Sequence, residues 1–255
     1  MNALPILMYH GLHASPRSPG RFDAVYSVDP VQFGQQLDWL RDNGYRSVLL
    51  DELREGPAVP ARQVVISFDD GDTSNVEVAL PMLLERGMRA EFFVTTDFIG
   101  QPGMLSGGGV RALVEAGMGL GSHGRSHAFL EDLPDHRMFS ELRDSRQRLQ
   151  AIGGCTVSAL ALPGGRGGER ERRAAQALGY RHLLGSVPGV NRPAGVDGWL
   201  QRIPVTRGLG LADFAARVTW RGLAPRLMQA RHHALKLPKR VLGNAGYERL
   251  RERLL

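Results

Sequence analysis

The sequence predicts an α/β fold in which about seven parallel strands close into a (β/α) barrel, followed by a basic helical tail. Short apolar segments rich in β-branched residues alternate with longer segments of helical periodicity, which is the pattern of βα units around a parallel sheet. With 255 residues and 42% hydrophobic content, the chain can bury one full core, as expected for a single domain. No GxGxxG motif follows the first apolar segment, which disfavours a dinucleotide-binding open sheet.

The elements follow from short apolar runs for strands and from amphipathic spacing for helices. We predict strands at Pro5–Tyr9, Ser47–Leu50, Val64–Phe68, Ala90–Thr95, Gly119–Ser122, Ala159–Leu162, His182–Leu184 and Ile203–Val205. We predict helices at Pro30–Asn43, Ser74–Arg86, Val110–Ala116, Pro134–Ile152 and Glu169–Leu178. Glycines follow these helices, as expected for a left-handed residue after the last turn: Gly44, Gly87, Gly117, Gly153 and Gly179. Pro81 should kink the second helix.

The charge of the chain is concentrated at its C-terminal end. Residues 221–255 hold nine Lys and Arg against two Glu, whereas the remaining 220 residues hold 23 basic and 24 acidic groups. We therefore draw a boundary between a catalytic barrel, residues 1–220, and a basic helical extension, residues 221–255, and the nearly neutral body does not support nucleic-acid binding. The single cysteine, Cys155, excludes an intramolecular disulfide framework.

The segment SFDDG places two adjacent carboxylates, Asp69 and Asp70, directly after a predicted apolar strand. Strand pleating would aim their side chains in different directions, so one can bind a metal while the other handles a proton. Asp-Asp-Gly is also an ordinary turn sequence, so this motif alone does not distinguish a simple turn from a catalytic site.

The segment SHGRSH places His123 and His127 four residues apart after another predicted strand. This spacing would put both imidazoles on one side of a helical turn, although such a pair also arises by chance. Carboxyl ends of parallel strands meet at one end of a barrel, so the two motifs should meet there. Two imidazoles and the carboxylate of Asp70 would leave coordination positions open for water and substrate, with Asp69 as a general base.

These motifs, together with LMYH near the N-terminus and ALPGGR later, resemble the polysaccharide deacetylases, carbohydrate esterase family four, over roughly residues 5–205. The resemblance implies a distorted (β/α) barrel, a divalent metal that is usually zinc, and hydrolysis of N-acetyl groups on amino sugars. It implies that Asp69 is the base and that Asp70, His123 and His127 are the metal ligands. It also suggests a substrate-binding rim at Pro163, Gly164, Gly165 and Arg166.

Two family features are missing from their usual places. Leu162 precedes Pro163 where relatives carry an arginine that holds the catalytic aspartate, and Arg166 is the nearest candidate. The late histidine that serves as general acid is also absent, because the last predicted strand and its flanking residues read RIPVTR. His10 ends the first strand and resembles the acid of relatives with circularly permuted motifs. A histidine that caps the strand by bonding to the backbone is the alternative.

The function we predict is metal-dependent removal of N-acetyl groups from a polysaccharide or lipid-linked glycan. The alternatives are a non-catalytic carbohydrate-binding relative and, less favoured, a non-haem iron oxygenase, which also uses two histidines and one carboxylate. The N-terminal residues resemble no signal peptide, so we expect a cytoplasmic protein. The tail, with an amphipathic pattern at Asn244–Leu255, either contacts an anionic membrane peripherally or packs against the barrel.

Overall fold

The computed structural model describes residues 3–53, 62–192, 199–223 and 225–230. The strands are β1 (Leu4–Tyr9), β2 (Arg46–Ser47), β3 (Gln63–Phe68), β4 (Glu91–Val94), β5 (Gly119–Ser122), β6 (Ala159–Ala161), β7 (His182–Pro188), β8 (Val190–Asn191) and β9 (Trp199–Pro204). The α-helices are α1 (Pro30–Asp42), α2 (Leu80–Leu84), α3 (Gly107–Glu115), α4 (Asp135–Gly153), α5 (Glu169–Ala177) and α6 (Leu211–Val218).

Seven parallel strands close into a barrel, as the sequence predicts. The order is β1, β3, β4, β5, β6, β7 and β9, and closure occurs because β1 pairs in parallel with both β3 and β9. The remaining two strands are outside this ring: β2 extends the sheet beyond β3, and β8 runs antiparallel to the start of β1. The pairing of β7 with β9 shifts register between Leu184 and Pro188, so the barrel is distorted.

The apolar residues form two layers that follow from strand alternation. Ile6, Val65 and Phe93 belong to a small cluster inside the barrel, and a larger cluster fills the space between the strands and the surrounding helices. Gly121 lies beside Phe93, and a Cβ at Gly121 would collide with that aromatic ring. The glycine therefore lets one phenylalanine fill the barrel below the site.

Several helices and strands differ from their predicted form, among them the predicted strand Ser47–Leu50, in place of which only Arg46–Ser47 forms β2. The predicted helix at Ser74–Arg86 is a π-helical turn over Asn75–Ala79 followed by the short α2. Pro81 has no backbone N–H to donate, and a widened turn before it removes the need for that hydrogen bond. Strand β9 begins at Trp199, four residues before the predicted start, and α6 was not predicted. The left-handed glycine that follows the fourth helix is Gly154, with φ of 64°, one residue beyond the predicted Gly153.

The start of the C-terminal extension packs on the barrel. Residues 225–230 are helical, and the Gln229 side-chain amide donates to the Pro188 carbonyl over 3.0 Å. The amphipathic segment Asn244–Leu255 lies outside the described residues. None of the helices in the described ranges is long and apolar enough to cross a membrane.

Candidate metal and catalytic centre

The SFDDG segment separates its two carboxylates at the carboxyl end of β3. The Asp69 N–H donates to the Tyr9 carbonyl, which continues the hydrogen-bond ladder between β3 and β1. This pairing keeps the Asp69 side chain on the face of the strand that points into the barrel. Asp70 then adopts a left-handed backbone, with φ of 73°, and Gly71 follows at 91°. Non-glycine residues rarely adopt this conformation, and such strain clusters at functional sites. The result is one fully buried carboxylate and one partly exposed carboxylate; the side chains diverge as predicted, but through the left-handed turn at Asp70 and not through the strand pleat.

Asp70, His123 and His127, the three predicted metal ligands, lie together with their potential ligand atoms within 4.8 Å of one another, so they could hold a metal ion. Asp70 Oδ1 lies 3.4 Å from Nε2 of each histidine. Zinc bonds of about 2.0–2.1 Å at tetrahedral angles place neighbouring ligand atoms roughly 3.3–3.4 Å apart. Asp70 Oδ1 is also buried without a hydrogen-bond partner among the described residues. The spacing and the unpaired oxygen both fit a divalent cation.

The imidazole of His123 is oriented by the barrel itself. Its Nδ1 lies 2.9 Å from the Ala161 carbonyl oxygen on β6, and a carbonyl can only accept, so Nδ1 carries the proton. Nε2 then presents its lone pair to the cluster, which is the form a metal ligand requires. Burial lowers the pKa of His123 despite the two nearby aspartates, which favours the same neutral form.

The two histidines converge through a loop, and the predicted helical turn is wrong. Residues 123–129 form no helix, and left-handed backbones at Gly124 and His127, with φ of 78° and 65°, fold the chain back. A glycine at position 124 suits that backbone. Glu141 on α4 holds the loop: its carboxylate accepts the N–H groups of Arg125 and Ser126 and the Ser126 hydroxyl over 2.8–3.0 Å.

The partner of Asp69 is Arg202, a residue that the sequence did not single out. Arg202 Nη1 donates to Asp69 Oδ1 over 2.7 Å, and its Nε donates to the Gly185 carbonyl over 2.8 Å. Both side chains are almost fully buried, at 1% and 3% exposure. Burial alone would raise the pKa of Asp69, but the charge of Arg202 outweighs it and holds the pKa below its usual range. Asp69 is thus kept ionised inside the barrel.

His10 lies at the same end of the barrel, directly after β1. Its ring contacts Tyr26 with centroids 4.5 Å apart, and its proximity contributes to lowering the pKa of both Asp69 and Asp70. The Nδ1 atom is buried and has no hydrogen-bond partner among the described residues. The ring therefore does not cap the strand through a backbone hydrogen bond at Nδ1, contrary to the alternative raised from the sequence.

The predicted substrate rim, Pro163 to Arg166, forms a turn after β6. Gly164 and Gly165 have left-handed backbones, with φ of 62° and 65°, and a Cβ at Gly165 would collide with Ser186. Pro163 is buried. Arg166 does not reach Asp69; its guanidinium stacks on the Phe129 ring at 4.0 Å. The structure thus places this turn beside the loop that carries His123 and His127, and substrate contact there remains a prediction.

Comparison with known proteins matches this site and this barrel to one family. Residues 56–183, half of the chain, match the family model for polysaccharide deacetylases. A Bacillus subtilis (strain 168) protein, YxkH, named as a polysaccharide deacetylase, is 29% identical over 220 residues, covering 84% of this chain and 76% of that protein. The poly-β-1,6-N-acetyl-D-glucosamine N-deacetylase of Staphylococcus aureus is 33% identical over 79 residues, covering 30% of this chain and 27% of its own length.

A solved structure extends the likeness to the whole barrel. The Streptococcus pyogenes deacetylase PplD, crystallised with acetate, superposes with a TM-score of 0.75 at 26% identity, covering 85% of this chain and 98% of that one. The motifs, the barrel and the family match agree with the resemblance drawn from SFDDG and SHGRSH. The chain belongs to the polysaccharide deacetylase family.

Proposed function

We propose that this chain is a metal-dependent N-deacetylase in which Asp70, His123 and His127 hold a divalent cation, zinc in our assignment. One observation carries the proposal: a buried carboxylate, Asp69, is kept ionised by Arg202 directly beside a three-residue ligand cluster. Two imidazoles and one carboxylate are the donor set of catalytic zinc sites, which keep open coordination positions. This arrangement supplies a base next to an open metal site, which amide hydrolysis requires.

The residues divide the hydrolysis of an acetamide among themselves. When bound, the cation acts as a Lewis acid that acidifies water and polarises the substrate carbonyl. Asp69 accepts the proton of the attacking water at its carboxylate, while Arg202 keeps that carboxylate in place. The C–N bond then breaks, His10 donates a proton to the departing amine nitrogen, and acetate leaves. The reaction therefore balances: water and the N-acetyl group give acetate and the free amine, and no further reactant is needed.

The substrate we propose is an N-acetylhexosamine within a polymer or a lipid-linked glycan. Support comes from relatives, since one acts by name on poly-β-1,6-N-acetyl-D-glucosamine and another was crystallised with acetate. The turn from Pro163 to Arg166 forms part of the rim that such a glycan would contact. We further propose a cytoplasmic location, with residues 221–255 available for peripheral contact with an anionic membrane.

The alternative of a non-catalytic relative depended on two missing residues, and we assign a replacement to each. Arg202 contacts Asp69 from β9, and His10, which follows β1, is near enough to both carboxylates to contribute to lowering their pKa. The oxygenase alternative has no support in a closed parallel barrel whose chain belongs to a deacetylase family. Deacetylation is therefore the function that the geometry supports best.

The test is acetate release from a panel of N-acetylated oligosaccharides, with and without chelator and with zinc added back. We expect activity that chelator abolishes and zinc restores. Asp69→Asn should keep its metal and lose several orders of magnitude in kcat, whereas His123→Ala should lose metal and activity together. Asp42→Asn, an exposed carboxylate on α1, is the matched control. Near-normal turnover in Asp69→Asn would contradict the assigned base.

A further inference from the structure

The loop of residues 14–27, here called the rim loop, is fixed to the turn that carries the catalytic aspartates. Asp72, two residues after Asp70, accepts the backbone N–H of Arg21 over 2.6 Å. His13 lies fully buried beneath the loop, with Nδ1 2.8 Å from the Ser27 hydroxyl and Nε2 3.3 Å from Asp72. The rim loop therefore cannot move far relative to the metal-ligand cluster.

Close packing around Gly20 restricts the position of Arg21 further. Gly20 has φ of 114°, and a Cβ there would collide with His13 and the Asp72 carboxylate. On the other side, a Cβ at Gly103 would lie 2.9 Å from the Gly20 carbonyl carbon. The backbone at residues 20 and 21 is held between two segments without room for a side chain. The backbone position of Arg21, from which its side chain extends, is thus well defined.

The Arg21 side chain leads from this anchor to the mouth of the site. Its guanidinium carbon lies 4.9 Å from the centroid of the Phe98 ring. Phe98 in turn stacks on His127, a residue of the ligand cluster, with centroids 5.9 Å apart and an interplanar angle of 26°. One aromatic ring therefore separates an exposed guanidinium from the proposed metal site.

Arg21 is a cation without a carboxylate partner in the described part of the chain. The acidic groups around it are used elsewhere. Asp72 accepts backbone N–H groups, Asp97 pairs with Arg125 and Arg148, and Asp23 caps the N–H groups of Val25 and Tyr26. No ion pair to Arg21 exists among the described residues, so its charge is available to a ligand in the mouth of the site.

We propose that Arg21 binds an anionic group of the glycan, a carboxylate or a phosphate, on the sugar being deacetylated or on its neighbour. The inference rests on the proposed function and narrows its substrate class to acidic N-acetylated glycans. A guanidinium offers paired donors that match the oxygens of carboxylate and phosphate. Its distance from the ligand cluster, one ring away, places that anion beside the acetamide and not on it.

The experiment compares three probes in the wild type, Arg21→Gln, Arg21→Lys and Arg17→Gln. The neutral probe is tetra-N-acetylchitotetraose, the carboxylate probe is a hyaluronan tetrasaccharide, and the phosphate probe is the glycosyl phosphate of N-acetylglucosamine. Arg17 is an exposed arginine of the same loop and serves as the matched control. Acetate release gives kcat and KM, and calorimetry gives Kd for each probe.

We expect the wild type to prefer one of the two anionic probes, and the preferred one identifies the anion. Arg21→Gln should raise KM and Kd for that probe about tenfold or more and leave the neutral probe unchanged, because a charge-assisted contact remote from the bond being broken is lost. Arg21→Lys should retain part of the preference, and Arg17→Gln all of it. Higher salt should weaken the wild-type preference.

Three results would overturn the proposal: a wild type that prefers the neutral probe or binds none of the three, an Arg21→Gln variant that loses all probes equally, or one that binds the anionic probes as tightly as the wild type. The second result would assign Arg21 to loop structure, through its contact with Phe98. Failure of the proposed function is a separate result, because it appears as absent acetate release in the wild type while calorimetry still measures the contribution of Arg21 to binding.

Discussion

Replacing Glu91 with glutamine should make this protein more stable than the wild type above neutral pH. Glu91 begins β4 at the end of the barrel opposite the site and is only 4% exposed. One carboxylate oxygen accepts the Leu50 N–H over 2.7 Å, and the other abuts Gly119. Burial, reinforced by the charges of Asp51 and Glu52, raises the pKa of Glu91 from 4.5 to about 7.

The magnitude follows from proton linkage. An acid whose pKa is raised by folding binds its proton more tightly in the folded state, so its stabilising contribution is complete below its unfolded pKa of 4.5 and is lost as pH rises through about 7. Each unit of difference between the folded and unfolded pKa is worth about 1.36 kcal/mol. The free energy of unfolding of the wild type should therefore fall by about 3 kcal/mol, from this one group, as pH rises from below the unfolded pKa to above the folded pKa. Glutamine keeps an oxygen for the Leu50 N–H and has no proton to lose.

The assay is urea unfolding of wild type and Glu91→Gln at intervals from about pH 4 to pH 9. The difference in unfolding free energy, variant minus wild type, should increase by about 3 kcal/mol across that range, mostly between the two pKa values. Glu115→Gln, at the exposed end of α3, controls for the substitution itself. If the curves of wild type and Glu91→Gln run parallel, burial does not hold this carboxyl protonated, and the reasoning fails.

Three further predictions concern the site. Arg202→Met should cost about 3–5 kcal/mol in unfolding free energy, measured in urea, because Asp69 is left buried and unpaired; a cost below 1 kcal/mol would contradict this. His10→Ala should lower kcat about 10²–10⁴-fold with metal content intact, measured against the exposed His136→Ala, and an unchanged kcat would return His10 to a structural role. Glu141→Gln should weaken zinc binding roughly 10–100-fold in a competition titration, because the loop that carries His127 loses hydrogen bonds to the Glu141 carboxylate. An unaltered zinc affinity would show that this loop keeps its conformation without Glu141.

The sequence predicted the barrel and the meeting of Asp70, His123 and His127 at one end of it because both depend on local patterns. Each apolar strand is short and contiguous, and the polar residues follow the strands directly, so parallel strand ends bring them together. Spacing did not predict how His123 and His127 converge. Their i, i+4 separation suggested a helical turn, whereas two left-handed residues and the distant Glu141 fold the loop. A positive φ at a histidine has no sequence signature.

Arg202 was missed because the strand that carries it was placed too late. The prediction began at Ile203, but β9 begins at Trp199, and its inward phase runs through Leu200 and Arg202. Strands of a parallel barrel are apolar on both faces, so alternation does not reveal their register. An arginine flanked by Leu200 and Ile203 in such a strand was the available signal. It implies a buried guanidinium, which needs a buried carboxylate as its partner.

The site residues are held by separate elements of the barrel. Asp69 is held by Arg202 from β9, His123 by the Ala161 carbonyl on β6, and the loop carrying His127 by a carboxylate on α4. Each of these supports is a hydrogen bond between protein groups alone, and supports of this kind reduce the reorganisation that metal or substrate binding requires.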